Sequence, residues 1–135
     1  LNIMSTRSTI TLKKKDGTFA RIYCHFDGYI ENGVGAVLAT NYSTYNLVED
    51  LIKMGDASYI KENIETSFFY GRDRHEKNTQ CLIFKDLNDF EDRNRFEDFN
   101  YLFIDNQWVV STWDSFDYKP VAGQLKNECT AIETN

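Results

Sequence analysis

Apolar and polar residues alternate along Ser8-Thr9-Ile10-Thr11-Leu12. They alternate again over residues 18–26, where Phe19, Arg21 and Tyr23 interleave with Ala20, Ile22 and Cys24. A period of two with β-branched residues predicts strands. Asp16-Gly17 stands between the runs and suits a tight hairpin turn. Lys13-Lys14-Lys15 precedes it and reads as a solvated tip that also discourages edge pairing.

The period then changes. Residues 36–41 predict a short helix with Val37 and Leu38. Leu47, Val48, Leu51 and Ile52 form one apolar helical face, with Ser43 or Thr44 placed to cap it and Gly55 to end it. Asp56 to Ile60 predicts a turn or a short helix, residues 64–70 a strand, and residues 71–78 a charged loop. Gln80 to Phe84 reads as a short strand, and residues 85–98 as a loop or short helix. Runs 100–104 and 107–113 flank Asp105-Asn106, a second hairpin. After Pro120, residues 121–132 carry a weak helical pattern. With strands at both ends and helices between, the expected fold is α+β. It is an antiparallel sheet built from the N- and C-terminal hairpins, with one or two helices packed on one face, in a single domain.

Composition narrows the function. The net charge of -6 and pI near 4.9 disfavour non-specific nucleic-acid binding, which rests on Lys and Arg neutralising phosphates. The 15% aromatic share supplies a firm core and contact residues. Cys24, Cys81 and Cys129 are odd in number and form no CxxC pair, which argues against structural zinc and fits a reducing cytoplasm. No run of transmembrane length and no signal-peptide pattern occurs. Leu1-Asn2-Ile3 precedes Met4, so the expected natural start is Met4, with three residues left from cloning or an earlier start codon.

Three clusters carry candidate chemistry. His25 and Asp27, two apart, share a side if the second strand runs on through them. Asp27 could then orient the imidazole, or both could ligate a metal, but His75 is the only other histidine. The competing reading is a half-buried His25 beside an Asp27-Gly28 turn. Hairpin pairing brings Thr6, Arg7 and Ser8 near residues 23–26, so Thr6, Arg7, Tyr23, His25, Asp27 and Tyr29 could line an anion-binding corner, with Arg72 or Arg74 closing it. The third cluster is acidic: Asp86, Asp89, Glu91, Asp92, Glu97 and Asp98 stand among aromatic residues. Such carboxylates could imitate a phosphate backbone in a basic groove, or serve solubility alone. No Walker loop, Gly-x-Ser-x-Gly or His-Glu-x-x-His motif occurs, and no cofactor is expected.

Met4-Ser5-Thr6-Arg7-Ser8, Asp16-Gly17 and Ile22-Tyr23-Cys24-His25-Phe26-Asp27-Gly28-Tyr29 resemble a family of small uncharacterised phage and prophage proteins. Val34-Gly35, Leu38, Tyr42, Leu51-Ile52 and Gly55-Asp56-Ala57-Ser58 continue the resemblance, which covers about the first 60 residues. Its members often carry Pro after the Asp-Gly-Tyr triplet, where this chain has Ile30. The resemblance implies a phage accessory protein acting in the host cytoplasm against host defences. The expected function is binding: inhibition of a host defence complex of the CRISPR or restriction type through the acidic surface, with neither nucleic acid nor membrane as direct partner and a homodimer as a possible form. The alternative is sequestration of an anionic nucleotide signal at the Thr6–Tyr29 corner. An enzyme using His25 and Asp27 is the third and weakest class.

Overall fold

The computed structural model describes residues 5–112 and 115–125. The chain runs through Ser8–Lys13 (β1), Phe19–Cys24 (β2), Val34–Asn41 (α1), Tyr45–Lys53 (α2), Ala57–Tyr59 (β3) and Phe68–Phe69 (β4). It continues through Tyr70–Arg74 (α3), Leu82–Phe84 (β5), Leu87–Arg93 (α4), Phe99–Ile104 (β6), Gln107–Thr112 (β7) and Lys119–Pro120 (β8). Residues 121–125 are helical, and the rest of the helical pattern expected to residue 132 lies outside the described residues.

The strands form one sheet in the order β4-β3-β2-β1-β6-β7-β8, with β5 also pairing β2. Both expected hairpins are present, β1–β2 and β6–β7, and the fold is α+β with a mostly antiparallel sheet. The two hairpins join side by side through a parallel pairing of β1 with β6, Ser8 opposite Phe99 and Leu12 opposite Phe103. The outer edge of β2 is shared: β3 pairs at Cys24, and β5 pairs at residues 19–21.

Strand alternation sends Ile10, Leu12, Ala20, Ile22, Cys24, Tyr101, Phe103, Trp108 and Val110 into one core. α1 and α2 close it with Val34, Leu38, Val48, Leu51 and Ile52, as the apolar helical face requires. Thr44 caps α2 by accepting the Leu47 N–H. Phe19, Leu102 and Val109 emerge on the opposite face, where α4 adds Phe90. The Phe90 ring stacks on Phe19 at 4.9 Å and meets Phe84 edge-on at 5.3 Å. That burial contributes about 1.5–3 kcal/mol and pins the acidic segment to the sheet.

Some local expectations change. Residues 57–59 are a strand rather than a turn or helix, because the His25 and Phe26 N–H groups donate to the Ala57 and Ser58 carbonyls and draw the segment into the sheet. Of residues 64–70 only Phe68–Phe69 pairs, and the expected charged loop opens as α3, whose Asp73 accepts the Phe69 N–H at 2.8 Å. Segment 85–98 contains α4, which also blocks the free edge of β5. Arg93 donates to the Ile83 carbonyl at 3.0 Å, Asp89 accepts the Lys85 N–H at 2.9 Å, and the two side chains pair with each other. An edge whose polar groups are already bonded offers no template for another strand.

The buried Tyr101 hydroxyl donates to the Gly28 carbonyl at 2.6 Å and so fastens the second hairpin to the chain leaving the first. Tyr101→Phe strands that carbonyl and should cost about 1–3 kcal/mol. Urea unfolding of both proteins measures it, and equal midpoints would show that the bond contributes nothing.

Candidate functional site

β2 ends at Cys24, so alternation does not carry through to Asp27. Asp27 turns the chain at φ 59°, and no hydrogen bond joins its carboxylate to His25 among the described residues. The turn reading of Asp27-Gly28 therefore holds, and the alternative His25–Asp27 pair does not form. Residues 27–30 instead serve the start of α1. The carbonyls of Asp27, Tyr29 and Ile30 accept the N–H groups of Val34, Gly35 and Ala36 at 2.8, 3.0 and 2.8 Å. They satisfy donors that a helix start leaves open, which explains a cap without a side-chain bond at Gly33. The approach is too close for side chains: a Cβ on Gly33 would lie 2.4 Å from the Asp27 oxygen, and one on Gly35 2.7 Å from the Ile30 oxygen.

The corner is closed from the N-terminal side, as hairpin pairing implies. Gly28 N–H donates to the Thr6 carbonyl at 2.9 Å. The half-buried His25 ring lies 2.6 Å from the Tyr23 hydroxyl at Nδ1 and 3.0 Å from Ser5 Oγ at Nε2. Burial raises the Tyr23 phenol to about 12, so it stays protonated at neutral pH. A Tyr23 hydroxyl donating to Nδ1 leaves Nε2–H to donate to Ser5. Ser5, one of the hydroxyls at the start of the first strand, thus completes a Tyr23–His25–Ser5 chain whose members the hairpin register brings to one end. Phe26 adds an edge-on contact to the imidazole at 4.5 Å.

Arg7 is exposed and makes no ion pair among the described residues. Its backbone is held by Asp98, which accepts the Arg7 N–H at 3.1 Å. Tyr29 is 48% exposed and lines a cleft of 270 Å³ with Ile30, Glu31, Phe99 and Gln124. The expected closing arginines are engaged elsewhere. Arg72 bonds Asp73 and the Ile64 and Ser67 carbonyls, and Arg74 pairs with Glu76 at 3.0 Å. The polar corner therefore comprises Ser5, Thr6, Arg7, Tyr23 and His25, without Arg72 or Arg74.

The acidic segment divides in two. Asp86 caps α4 by accepting the Asp89 N–H, and Asp98 holds Arg7. Asp89 is held at about 2 by the Arg93 guanidinium and the Lys85 N–H. Glu97 is half-buried, and its own N–H donates to the Asn100 side chain at 2.9 Å. Glu91 and Asp92 remain, both exposed and in no ion pair among the described residues. On the same side of the sheet Leu82 and Leu87 are 48% and 55% exposed, while the equally exposed Ile83 points to the other side. Leu87 and Glu91, four apart, share the outer side of α4. Among the described residues no group of three or more His, Cys, Asp or Glu is arranged to hold a metal, and no helix is long and apolar enough to cross a membrane.

Burial raises the Tyr23 and Tyr118 phenols to about 12, raises Tyr101 further, and raises the Cys24 thiol to about 12. The folded state therefore holds protons that the unfolded chain releases above pH of about 9 for cysteine and 10 for tyrosine. Stability should be constant through neutral pH and fall as pH rises from about 9 toward 12. Urea midpoints across that range, with tyrosinate absorbance followed in parallel, test this. Tyrosinate forming fully before unfolding would contradict it.

No family model matches this chain, and comparison with curated proteins and with solved structures finds no similar protein.

Proposed function

We propose that this protein is a phage-encoded accessory factor that acts by binding, inhibiting a host defence complex of the anti-CRISPR or anti-restriction kind in the host cytoplasm. The observation that carries the reading is the β5–α4 face, where Leu82 on the α4 side of β5 and Leu87 on α4 are exposed and α4 also carries the unpaired carboxylates of Glu91 and Asp92. Apolar anchors with a charged rim suit a protein partner. The rim carries negative charge, so the complementary surface is basic, as in a nucleic-acid groove. Asp86 and Asp89 support this face structurally and Asp98 holds Arg7 elsewhere, which reduces the contacting carboxylates to Glu91 and Asp92.

A second reading rests on a different observation, the unpaired Arg7 beside Ser5, Tyr23 and His25. These groups suit an anionic nucleotide signal. Both nitrogens of His25 are already bonded, so such a ligand would have to displace Ser5 or bind through Arg7 alone.

Expression in cells carrying a defined CRISPR effector or restriction system should raise phage plating. Leu82→Asp combined with Leu87→Asp should abolish that rise, and Glu91→Lys with Asp92→Lys should weaken it, while far-ultraviolet circular dichroism stays unchanged. Full protection by the folded quadruple variant would remove this face from the mechanism. If protection instead disappears in Arg7→Ala and the protein shifts its melting point with cyclic nucleotides, the second reading replaces the first.

A further inference from the structure

The parallel pairing of β1 with β6 has a geometric consequence. Two strands running the same way deliver their turns to the same end of the sheet, so the Lys14–Thr18 turn and the Asp105-Asn106 turn sit side by side. The N-terminal end of α2 joins them there. Between them lies an open cleft of 490 Å³ whose lining includes Lys13, Lys14, Lys15, Tyr45, Asp105 and Asn106. That volume falls within the range of small-molecule sites.

The charge of this cleft is opposite to that of the chain. Three consecutive lysines meet a single lining carboxylate, in a protein of net charge -6. None of the three makes an ion pair among the described residues. Asp16, the nearest carboxylate in sequence, turns instead to Thr18, accepting its N–H at 2.9 Å and its hydroxyl at 2.6 Å. With no carboxylate at ion-pair distance from any of the three among the described residues, their charge is available to an anionic ligand.

The frame is also fixed before any ligand arrives. Lys15 N–H donates to the Tyr45 hydroxyl at 3.0 Å, and the Lys15 ammonium sits 4.7 Å above the Tyr45 ring. Lys14 N–H donates to the Thr18 carbonyl at 2.8 Å, and Gly17 N–H to the Lys14 carbonyl at 3.0 Å. A backbone held this way limits the ordering cost of binding.

We infer that the Lys13–Lys15 cleft is a binding site for a small ligand carrying two or more phosphate groups. Lysine ammonium groups bind phosphate oxygens as point charges, and Asn106 supplies an amide donor beside them. Its lining shares no residue with either surface in the functional proposal, and it lies at the other end of the sheet from His25.

Isothermal titration calorimetry with sodium tripolyphosphate, ATP and AMP tests the inference on the full chain. Tripolyphosphate and ATP should each bind at one site, with AMP much weaker. Lys13→Gln, Lys14→Gln and Lys15→Gln together should weaken binding by roughly tenfold or more, and raising salt above about 0.15 M should weaken it further. Lys61→Gln, Lys77→Gln and Lys85→Gln together make the same change in net charge elsewhere and should leave binding intact. Preference for ATP over tripolyphosphate would add the nucleoside to the recognised group, and equal binding would limit recognition to phosphate. Absence of heat with both, or equal loss in the two triple variants, overturns the site. Binding confined to single-stranded oligonucleotides would also overturn it, because the cleft would then be part of a nucleic-acid path.

Discussion

The parallel contact between β1 and β6 is the constraint on which the other features depend. Hairpins assemble from neighbours in sequence, but two hairpins can share a sheet in several ways. Here the first strand of each lies beside the first strand of the other, Ser8 opposite Phe99. Thr9 and Asn100 mark the join on the buried polar face, where the Thr9 hydroxyl donates to the Asn100 side-chain oxygen at 2.9 Å. A parallel join needs a long crossover, and all the helices between the hairpins belong to it. It also separates the molecule into two ends. One holds both turns and the lysine cleft; the other holds the corner around His25 and Gly28.

The corner shows how a chemically rich sequence can be consumed by architecture. An imidazole, a thiol, a carboxylate and two phenols lie within eight residues, a density that suggests reactivity. In the fold Cys24 is buried, Asp27 is a turn residue with positive φ, and the peptide carbonyls around it cap α1. His25 joins the N-terminal segment to β2 through Ser5 and Tyr23. The imidazole, the thiol and the Tyr23 phenol thus have structural partners before any substrate is considered. The glycines follow from the same geometry, since carbonyls that reach the helix start leave no room for a Cβ at Gly33 or Gly35.

Both hairpins were legible because their signals are local: alternation on each side of Asp16-Gly17 and Asp105-Asn106. α2 was legible for the same reason, its period agreeing with Thr44 and Gly55 at its ends. β3 was not, because three residues carry no period, and Ala57–Tyr59 becomes a strand only through β2 and β4. The parallel join could not be read, since no local pattern says which strands of separate hairpins will meet. The lysine cleft was hidden by the same gap. Lys13-Lys14-Lys15 resembles any solvated turn until Asp105, Asn106 and Tyr45 are set beside it. The nearness of Thr6 and Ser5 to residues 23–26 was legible, because hairpin register counts outward from the turn.

The acidic segment illustrates a difference between composition and surface. Six carboxylates between Asp86 and Asp98 look like a negative patch, yet a carboxylate beside open N–H groups is drawn to them first. Asp86 caps a helix, Asp89 joins Arg93 along the edge of β5, and Asp98 takes a backbone N–H of the first strand. These bonds have a directional effect. The Asp86 and Asp89 bonds hold α4 so that Phe90 faces the sheet, and Leu87 and Glu91 then face outward. Closing the edge of β5 also removes strand addition as a way to bind there, so a partner on this side must read side chains. The structural acids thus decide which few residues are free for contact. Leu82 and Leu87 stay exposed even though Phe19, Phe84 and Phe90 form a cluster on their side of the sheet. The stability of that cluster does not require them, so their exposure is where a contact surface could form without altering the fold.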